Sequence, residues 1–306
     1  MKMNDFTTLE NMCQFNFLEA GECFHVCTQE NLPTVFHNEE EFKVAMNMVA
    51  MACLMHPEVK VYTFSIMANH LHFVAAGSGA DVQSLADEIV SCMASHPLLT
   101  GSKRTIYPMA PRLHPVDNLD YLRNVIAYVN RNGPLVDPKE NVFSYEWGTG
   151  KYFFNREAKL RYKESSHLAG QTEKRKLMRS HQLDKIGQIN VLNGYVSPLY
   201  YCRVEEAELF FRDSRQYFYK VSKNIESQKE IAGIIGESIY YTDYDLIDVI
   251  TASCNKKFGV KNASELTPKD KIELAKSLHY DYNASNKQIS RLLKLSIDTV
   301  SMLFSN

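Results

Sequence analysis

The chain has 306 residues, 45% of them apolar and 23% charged, with a formal net charge of −2. That length suits about two domains and buries a core without cross-links. The near-neutral total gives no hint of a nucleic-acid partner, yet it averages two unlike parts. Residues 1–100 hold three basic residues (Lys2, Lys43, Lys60) against twelve acidic ones, a net of −9, and the other 206 carry +7. Such a split fits a chain whose later part meets an acidic partner, and equally the charge drift of solvated faces. Met1 to Asp5 lack a basic, then apolar, secretory start. The most apolar run, Val44 to Met55, is broken by Asn47 and is too short to span a bilayer. The seven cysteines (Cys13, Cys23, Cys27, Cys53, Cys92, Cys202, Cys254) are odd in number and form no CxxC pair. They point to reduced thiols in a cytoplasm rather than a disulfide framework or a zinc ribbon. The expectation is a cytoplasmic protein with no membrane partner.

In chain order, Glu22 to Thr28 is a short β-type run ahead of the polar Gln29-Glu30-Asn31. Asn38 to Met55 has acidic residues near its start and helical apolar spacing at Phe42, Ala45, Met46, Val49 and Leu54. Val59 to Ala76 reads as two strands joined near Met67-Ala68-Asn69, rich in β-branched and aromatic residues. Asp81 to Ala94 is a helix by its apolar Val82, Leu85, Ile89 and Met93. After a loop from Pro97 to Pro115, Asn118 to Asn132 is a strongly amphipathic helix with the stripe Leu119, Leu122, Val125, Ile126 and Val129. Gly133-Pro134 stops it. Strand, helix, strand pair, helix, helix in about 130 residues predicts an α+β domain.

Past Gly150 the chemistry changes. Residues 151–185 hold ten basic residues, from Lys151 through Arg156, Lys159, Arg161 and Lys163 to Lys185, against four acidic. They are interleaved with Tyr152, Phe153, Phe154 and Tyr162, a mixture that suits a single strand with stacked bases. A solvated linker helix accounts for the run equally well. From Val191 to the end the pattern is helical.

His70-Leu71-His72 is the first candidate for chemistry. Residues two apart on a strand share a side, so both imidazoles face one way and Leu71 the core. Two imidazoles on one face can hold a divalent ion with a third ligand from elsewhere. A bare His-x-His arises about 0.3 times by chance in a chain with ten histidines, so the pair is weak evidence by itself. It lies, however, inside an apolar run where polar groups are costly without partners. On the following helix Tyr121, Tyr128 and Asn132 share a face beside the apolar stripe. Tyr128 is a candidate nucleophile and Asn132 a candidate amide-oxygen ligand. An unaided phenol is a poor nucleophile, and a metal that polarises the electrophile favours its attack. The bland alternative for Tyr128 is a core-edge tyrosine with its hydroxyl in water.

These segments resemble the HUH single-strand transposases, particularly the REP-associated tyrosine transposases and their insertion-sequence relatives. Phe24-His25-Val26-Cys27-Thr28 is similar to the family's opening "YHV-T" strand. Met67-Ala68-Asn69-His70-Leu71-His72 is similar to its "M-P-N-H-V-H" strand, and Tyr128 through Asn132 and Pro134 to its "Y-I-x-x-N-P" helix. Trp147-Gly148-Thr149-Gly150-Lys151-Tyr152 follows where the family has "W-S-S-x-x-Y". The likeness covers residues 15–155. Ala68 replaces a proline, Gly133 intervenes before Pro134, and Gly148-Thr149 replaces a serine pair. The resemblance implies a ferredoxin-like catalytic domain and a Mg²⁺ or Mn²⁺ ion. It further implies cleavage of hairpin-flanked single-stranded DNA through a 5′-phosphotyrosine. By matching position, His70 and His72 become metal ligands, Tyr128 the nucleophile and Asn132 the third ligand. No ATP is required, and Gly148-Thr149-Gly150-Lys151 lacks Walker spacing.

At the C-terminus, Asn286 to Phe304 places Ile289, Leu292, Leu293 and Leu295 before a turn at Lys294 to Ser296, with Val300 and Leu303 on a second short helix. Ser296 suits its N-cap. The pattern resembles a helix-turn-helix that would bind double-stranded DNA, with Lys287, Arg291, Lys294, Asp298, Thr299 and Ser301 exposed. Residues 253–306 hold nine basic against five acidic residues. A helical hairpin packed on its own domain is the alternative.

The expectation is therefore an α+β chain. A ferredoxin-like domain with a central antiparallel sheet (1–155) precedes a basic linker and helical region (156–240) and an all-α end with a helix-turn-helix (241–306). The function expected is DNA transposition by a metal-dependent single-strand endonuclease, with a homodimer compatible with it. Its expected DNA contacts are Lys151, Arg156, Lys159, Arg161, Lys287, Arg291, Lys294, Thr299 and Ser301. A domesticated, non-catalytic DNA-binding regulator of the same fold is the alternative, and a mobilisation relaxase ranks behind it.

Overall fold

The computed structural model describes residues 3–28, 34–100, 109–133, 141–179, 186–223, 231–234 and 241–304. The chain divides into two compact units, Met1–Asn224 and Ile225–Asn306. Residues 156–223, expected to be a region of their own, belong to the first unit.

The first unit is α+β, as expected. It runs α1 (Met3–Ala20), β1 (Cys23–Cys27), α2 (Glu39–Met55), β2 (Lys60–Ile66), β3 (Leu71–Ala76), α3 (Gly79–Ser95), a turn of helix α4 (Pro97–Thr100), β4 (Arg112–Pro115) and α5 (Leu119–Asn132). The three long helices after β1 begin on side-chain caps. Asn38, Ser78 and Asn118 accept from the backbone N–H of Glu41, Asp81 and Tyr121, satisfying donors that a helix start leaves open. Three elements depart from the sequence reading. α1 precedes the sheet, and α4 and β4 lie inside the stretch taken as loop.

The four strands form one antiparallel sheet in the order β2-β3-β1-β4. Register decides what shares a face. His72 lies opposite Cys27 on β1 and Ser65 on β2, and His25 lies opposite Val74 on β3 and His114 on β4. One face therefore carries His25, Thr63, Ser65, His72 and His114. The other carries Val26, Phe64, Ile66, Leu71 and Phe73. A bulge between Val61 and Thr63 leaves Tyr62 as the extra residue. Without it, Phe64 would come opposite His72 and Ser65 would turn away, so the bulge sets the polar face.

The apolar face meets α3, whose first residue Gly79 lies against the Phe24 ring, and α2 packs along α3. The polar face meets α5, and α10 (Ser214–Lys223) packs behind α5. Lys220 pairs with Asp120 at 2.8 Å. The nearly buried Arg123 donates to Phe210 O and to Glu10, both at 2.6 Å.

Trp147 to Thr149 extend the sheet along the free edge of β2. Ile66 N–H donates to Trp147 O (2.9 Å) and Thr149 N–H to Phe64 O (3.1 Å). A Cβ at Gly148 would sit 2.6 Å from Phe64 O, so only glycine lets this segment close on the β2 edge. Then follow α6 (Arg156–Ser165), β5 (His167–Leu168), α7 (Gln171–Met178), β6 (Asn190–Leu192), β7 (Tyr195–Val196), α8 (Pro198–Tyr201) and α9 (Val204–Glu208). The small β5-β6-β7 sheet corrects the expectation of an all-helical chain beyond Val191. Asn193 (φ 53°) and Gly194 (φ 86°) turn the β6–β7 hairpin in the left-handed region that such two-residue turns need.

The second unit contains α11 (Asp243–Ser253), α12 (Pro268–Tyr280), α13 (Asn286–Leu293) and α14 (Ile297–Leu303). Leu246, Ile250, Leu274, Leu278, Ile289, Leu293 and Val300 form its core. Ser285 and Gln288 close a capping box on α13. Lys294 turns the chain at φ 53°, and Ser296 caps α14. All seven cysteines are buried and unlinked. Among the described residues no helix is long and apolar enough to cross a membrane.

Candidate functional site

The His70 and His72 rings lie side by side, with β3 beginning only at Leu71. His70 closes the β2–β3 turn, where Met67 N–H donates to its carbonyl at 2.8 Å. Its ring centre lies 5.0 Å from that of His72, and Leu71 is buried on the opposite face. The register then adds histidines that the motif alone does not contain. His25 Nε2 and His72 Nδ1 are 3.2 Å apart, with the rings stacked at 5.3 Å. His114 lies 6.2 Å from His25. Tyr128 projects from α5 onto this face, its ring edge-on to His72 at 5.7 Å and to His25 at 6.0 Å.

Four of the five rings are nearly dry, and His114 is half-buried. His25 and His72 are 0% exposed, Tyr128 4% and His70 8%. The alternative of a core-edge tyrosine does not fit a side chain only 4% exposed. A helix laid on a polar sheet face buries a wider arc than its apolar stripe, because polar residues beside the stripe also find partners there. Asn130 shows the same effect. Thr63 Oγ1 donates to Asn130 Oδ1 (2.5 Å) and lies 2.6 Å from Thr149 Oγ1, and Asn130 Nδ2 donates to Tyr217 (3.0 Å). This buried network ties α5, β2, the Trp147–Thr149 edge and α10 together.

Asn132 ends α5 one turn beyond Tyr128 and is half-buried. Gly133 does not break the helix, since its backbone stays right-handed helical (φ −55°, ψ −53°). A Cβ there would lie 2.2 Å from the Tyr145 ring and 2.6 Å from Ser65 Oγ. The glycine therefore lets the end of α5 close on Ser65, the register partner of His72. Pro134 lies outside the described residues, as do Gln29 to Asn31 and Lys185.

The donor set bears on the expected divalent ion. In His70 it is Nδ1 that donates to Asn69 Oδ1 (2.7 Å), and in His72 it is Nδ1 that meets His25. Nε2 is thus the nitrogen that would ligate in both, with the other nitrogen oriented by a neighbour as metal-binding imidazoles require. Among the described residues no group of three or more His, Cys, Asp or Glu is placed to hold a metal. With the Asn132 amide as the expected third ligand, a hard cation would complete its shell with water and phosphate oxygens.

The basic candidates separate by environment. Lys151 is buried, its ammonium 2.6 Å from Glu146 Oε2, and burial pulls its pKa below the ordinary lysine value against the pull of Glu146. Lys159 pairs with Glu208 (2.7 Å), Arg161 with Glu157 (2.5 Å) and Arg291 with Asp243 (2.6 Å). Arg156, Lys287 and Lys294 are exposed, and no ion pair engages them among the described residues. Thr299 and Ser301 are half-buried on α14, with Thr299 Oγ1 held 2.7 Å from Ser296 Oγ. Asp298, Ile297 and Met302 are the exposed residues of that helix.

Sequence reasoning missed His25 and His114 as site members. The alternation Cys23, His25, Cys27 was a legible signal for the first, whereas the four-residue edge strand around His114 carried none. Neither protein-family models, curated proteins nor solved structures yield a match to this chain.

Proposed function

We propose that the first unit cleaves and transfers single-stranded DNA through Tyr128, as a transposase of the HUH type does. The observation that carries this reading is Tyr128 set edge-on to His72 and His25, with His70 beside His72. The β-α-β-β-α-β order with strands 2-3-1-4 supports the ferredoxin-like arrangement that the resemblance implies.

Tyr128 Oη would attack the phosphorus of a phosphodiester, forming an O–P bond as the bond to the 3′ oxygen breaks. The phenolic proton passes to a base and the leaving oxygen takes one up, yielding a 3′ hydroxyl and a 5′-phosphotyrosine. The phosphodiester energy is kept in that linkage, so rejoining needs no ATP. His70, His72 and Asn132 would hold Mg²⁺ or Mn²⁺, which supplies charge neutralisation at the phosphate. His25 holds the His72 ring, and the Thr63–Asn130–Thr149 network holds α5 at its depth. Since Tyr128 is 4% exposed, strand entry must part the rim of the site.

In the second unit, α13, the turn at Lys294 and α14 have the lengths of a helix-turn-helix. Lys287 and Lys294 would contact duplex phosphates and Thr299 and Ser301 would sit at the start of the reading helix. Arg291 would first have to leave Asp243.

The test is incubation with a hairpin-flanked oligonucleotide and Mn²⁺, scored for a covalent adduct that survives denaturation. Loss of the adduct in Tyr128→Phe supports the reading. An adduct that persists in that variant overturns it, with Tyr121 the first suspect. The burial of Tyr128 and His72 favours a second reading, a DNA-binding regulator that retains the fold without cleavage. Oligonucleotide binding with no adduct under any divalent ion would establish that one instead.

A further inference from the structure

Away from the histidine face, the first unit contains a cavity of about 350 Å³ between the Trp147–Tyr152 segment, α6 and the β6–β7 turn. That volume is at the lower end of small-ligand pockets. Its floor is Lys151 and Tyr152, 8% and 1% exposed. Lys151 Nζ lies 2.6 Å from Glu146 Oε2, and the Tyr195 hydroxyl donates to Glu146 Oε1. Tyr162 and Ala158 of α6 form one wall and Asn193 of the turn belongs to the other. Tyr162 is oriented by Asn190, whose Nδ2 donates to its hydroxyl at 3.2 Å.

The charges lining this cavity cancel in pairs. Lys151 is matched by Glu146, and Arg161 by Glu157. A free phosphate would find no net positive field here. What the cavity offers is aromatic surface, an amide, and a fixed donor (Lys151) beside a fixed acceptor (Glu146). Planarity, a π face and an edge that mixes donors with acceptors are the features of a nucleobase.

The floor is also anchored. Trp147 to Thr149 are hydrogen-bonded to the edge of β2, and Thr149 shares the buried network with Thr63 and Asn130. A group seated on Lys151 and Tyr152 is thus held at a fixed offset from the histidine face.

We propose that this cavity receives one unpaired base of the bound strand, stacked on Tyr162 with its edge against the Glu146–Lys151 pair. The proposal rests on the single-strand reading above and deepens it, because it assigns one base to a defined cavity with a defined stacking face and hydrogen-bonding edge.

The experiment uses the full chain with chelator present and reads the anisotropy of labelled single-stranded decamers. Decamers of each base are compared with an abasic decamer of equal phosphate number. In the wild type at least one base-bearing decamer binds about tenfold or more tightly than the abasic one, the scale of a stacked base. Ala158→Leu, which fills the cavity, and Tyr162→Ala, which removes the stacking face, bring that ratio close to one and leave abasic binding unchanged. Tyr162→Phe keeps the ratio. A wild-type ratio near one, or a ratio unmoved by Ala158→Leu, overturns the proposal. Should Tyr162→Ala fail to fold, Ala158→Leu decides, since it adds volume on a half-exposed helical position. The Tyr128 adduct is scored separately. An adduct with no base-dependent ratio sinks the cavity alone, and a ratio abolished by Ala158→Leu without any adduct sinks cleavage alone.

Discussion

On one face of the four-stranded sheet, Phe64, Ile66, Leu71 and Phe73 are at most 2% exposed, and so are His25, Thr63, Ser65 and His72 on the other. The apolar face is held by removal of area from water, a force without direction that tolerates exchange of shapes. The polar face is held by partners. A buried polar atom without one costs about 1–3 kcal/mol, and His25, His72 and Thr63 each meet a polar neighbour, whereas Ser65 Oγ has no hydrogen-bond partner among the described residues. That is why the second face, and not the first, can keep rings and hydroxyls in the geometry that chemistry needs.

Five perturbations would break or sharpen this contrast. The largest is Tyr128→Phe, which keeps the ring but removes the nucleophile. Adduct formation is expected to fall by about three orders of magnitude or more, with little movement of the urea midpoint. Phe73→Ala, on the apolar face, is expected to cost about 3–5 kcal/mol in urea unfolding. Equal losses of stability from the two substitutions would refute the division of roles. Thr63→Val strands Asn130 Oδ1, while the Thr149 hydroxyl keeps its bonds to the Phe64 backbone, costing about 1–3 kcal/mol by the same measurement. A cost near zero would show that the network adds no rigidity. His25→Phe keeps an aromatic ring but removes the atom facing His72 Nδ1. It is expected to lower metal-dependent adduct formation about 10- to 100-fold with a smaller change in stability.

The last effect is absent at neutral pH. Burial pushes the Cys23 thiol, on the polar face, up to about 11, and Cys53, on α2, up to about 12, from 9.0. Both folded values are raised, so their contribution is complete below pH 9 and is lost as pH climbs to 11 and 12. Stability should therefore decline above pH 9, and Cys53→Ala should flatten the upper part of that decline in pH-dependent urea midpoints.

Much of the candidate site was legible before folding, and its limits follow from locality. His70 and His72 share a face because a strand repeats every two residues, and Tyr128 and Asn132 share one because a helix repeats nearly every four. Their meeting across 56 residues of chain is a matter of docking. The depth of Tyr128 was not legible, because an amphipathic pattern shows which arc is apolar but not how polar the surface beneath it is. β4 escaped notice because Arg112–Pro115 has only one apolar residue before its proline, and β1 supplies the pairing. The β6–β7 hairpin was missed despite Asn193-Gly194 between two apolar pairs, a turn signal overlooked among short strands.

By itself the sequence determined the α+β class, six of the elements in the first unit, the helical end with its Ser296 cap, and the two chemical patterns, His-x-His and Tyr-x-x-x-Asn. All of these depend on neighbours within a few residues. Only the tertiary structure decided the strand order, the bulge at Tyr62 that turns Ser65 toward His72, the inclusion of His25 and His114, and the burial of Lys151 over a cavity. Those outcomes depend on register and helix docking, where one residue of slip moves every side chain to the opposite face.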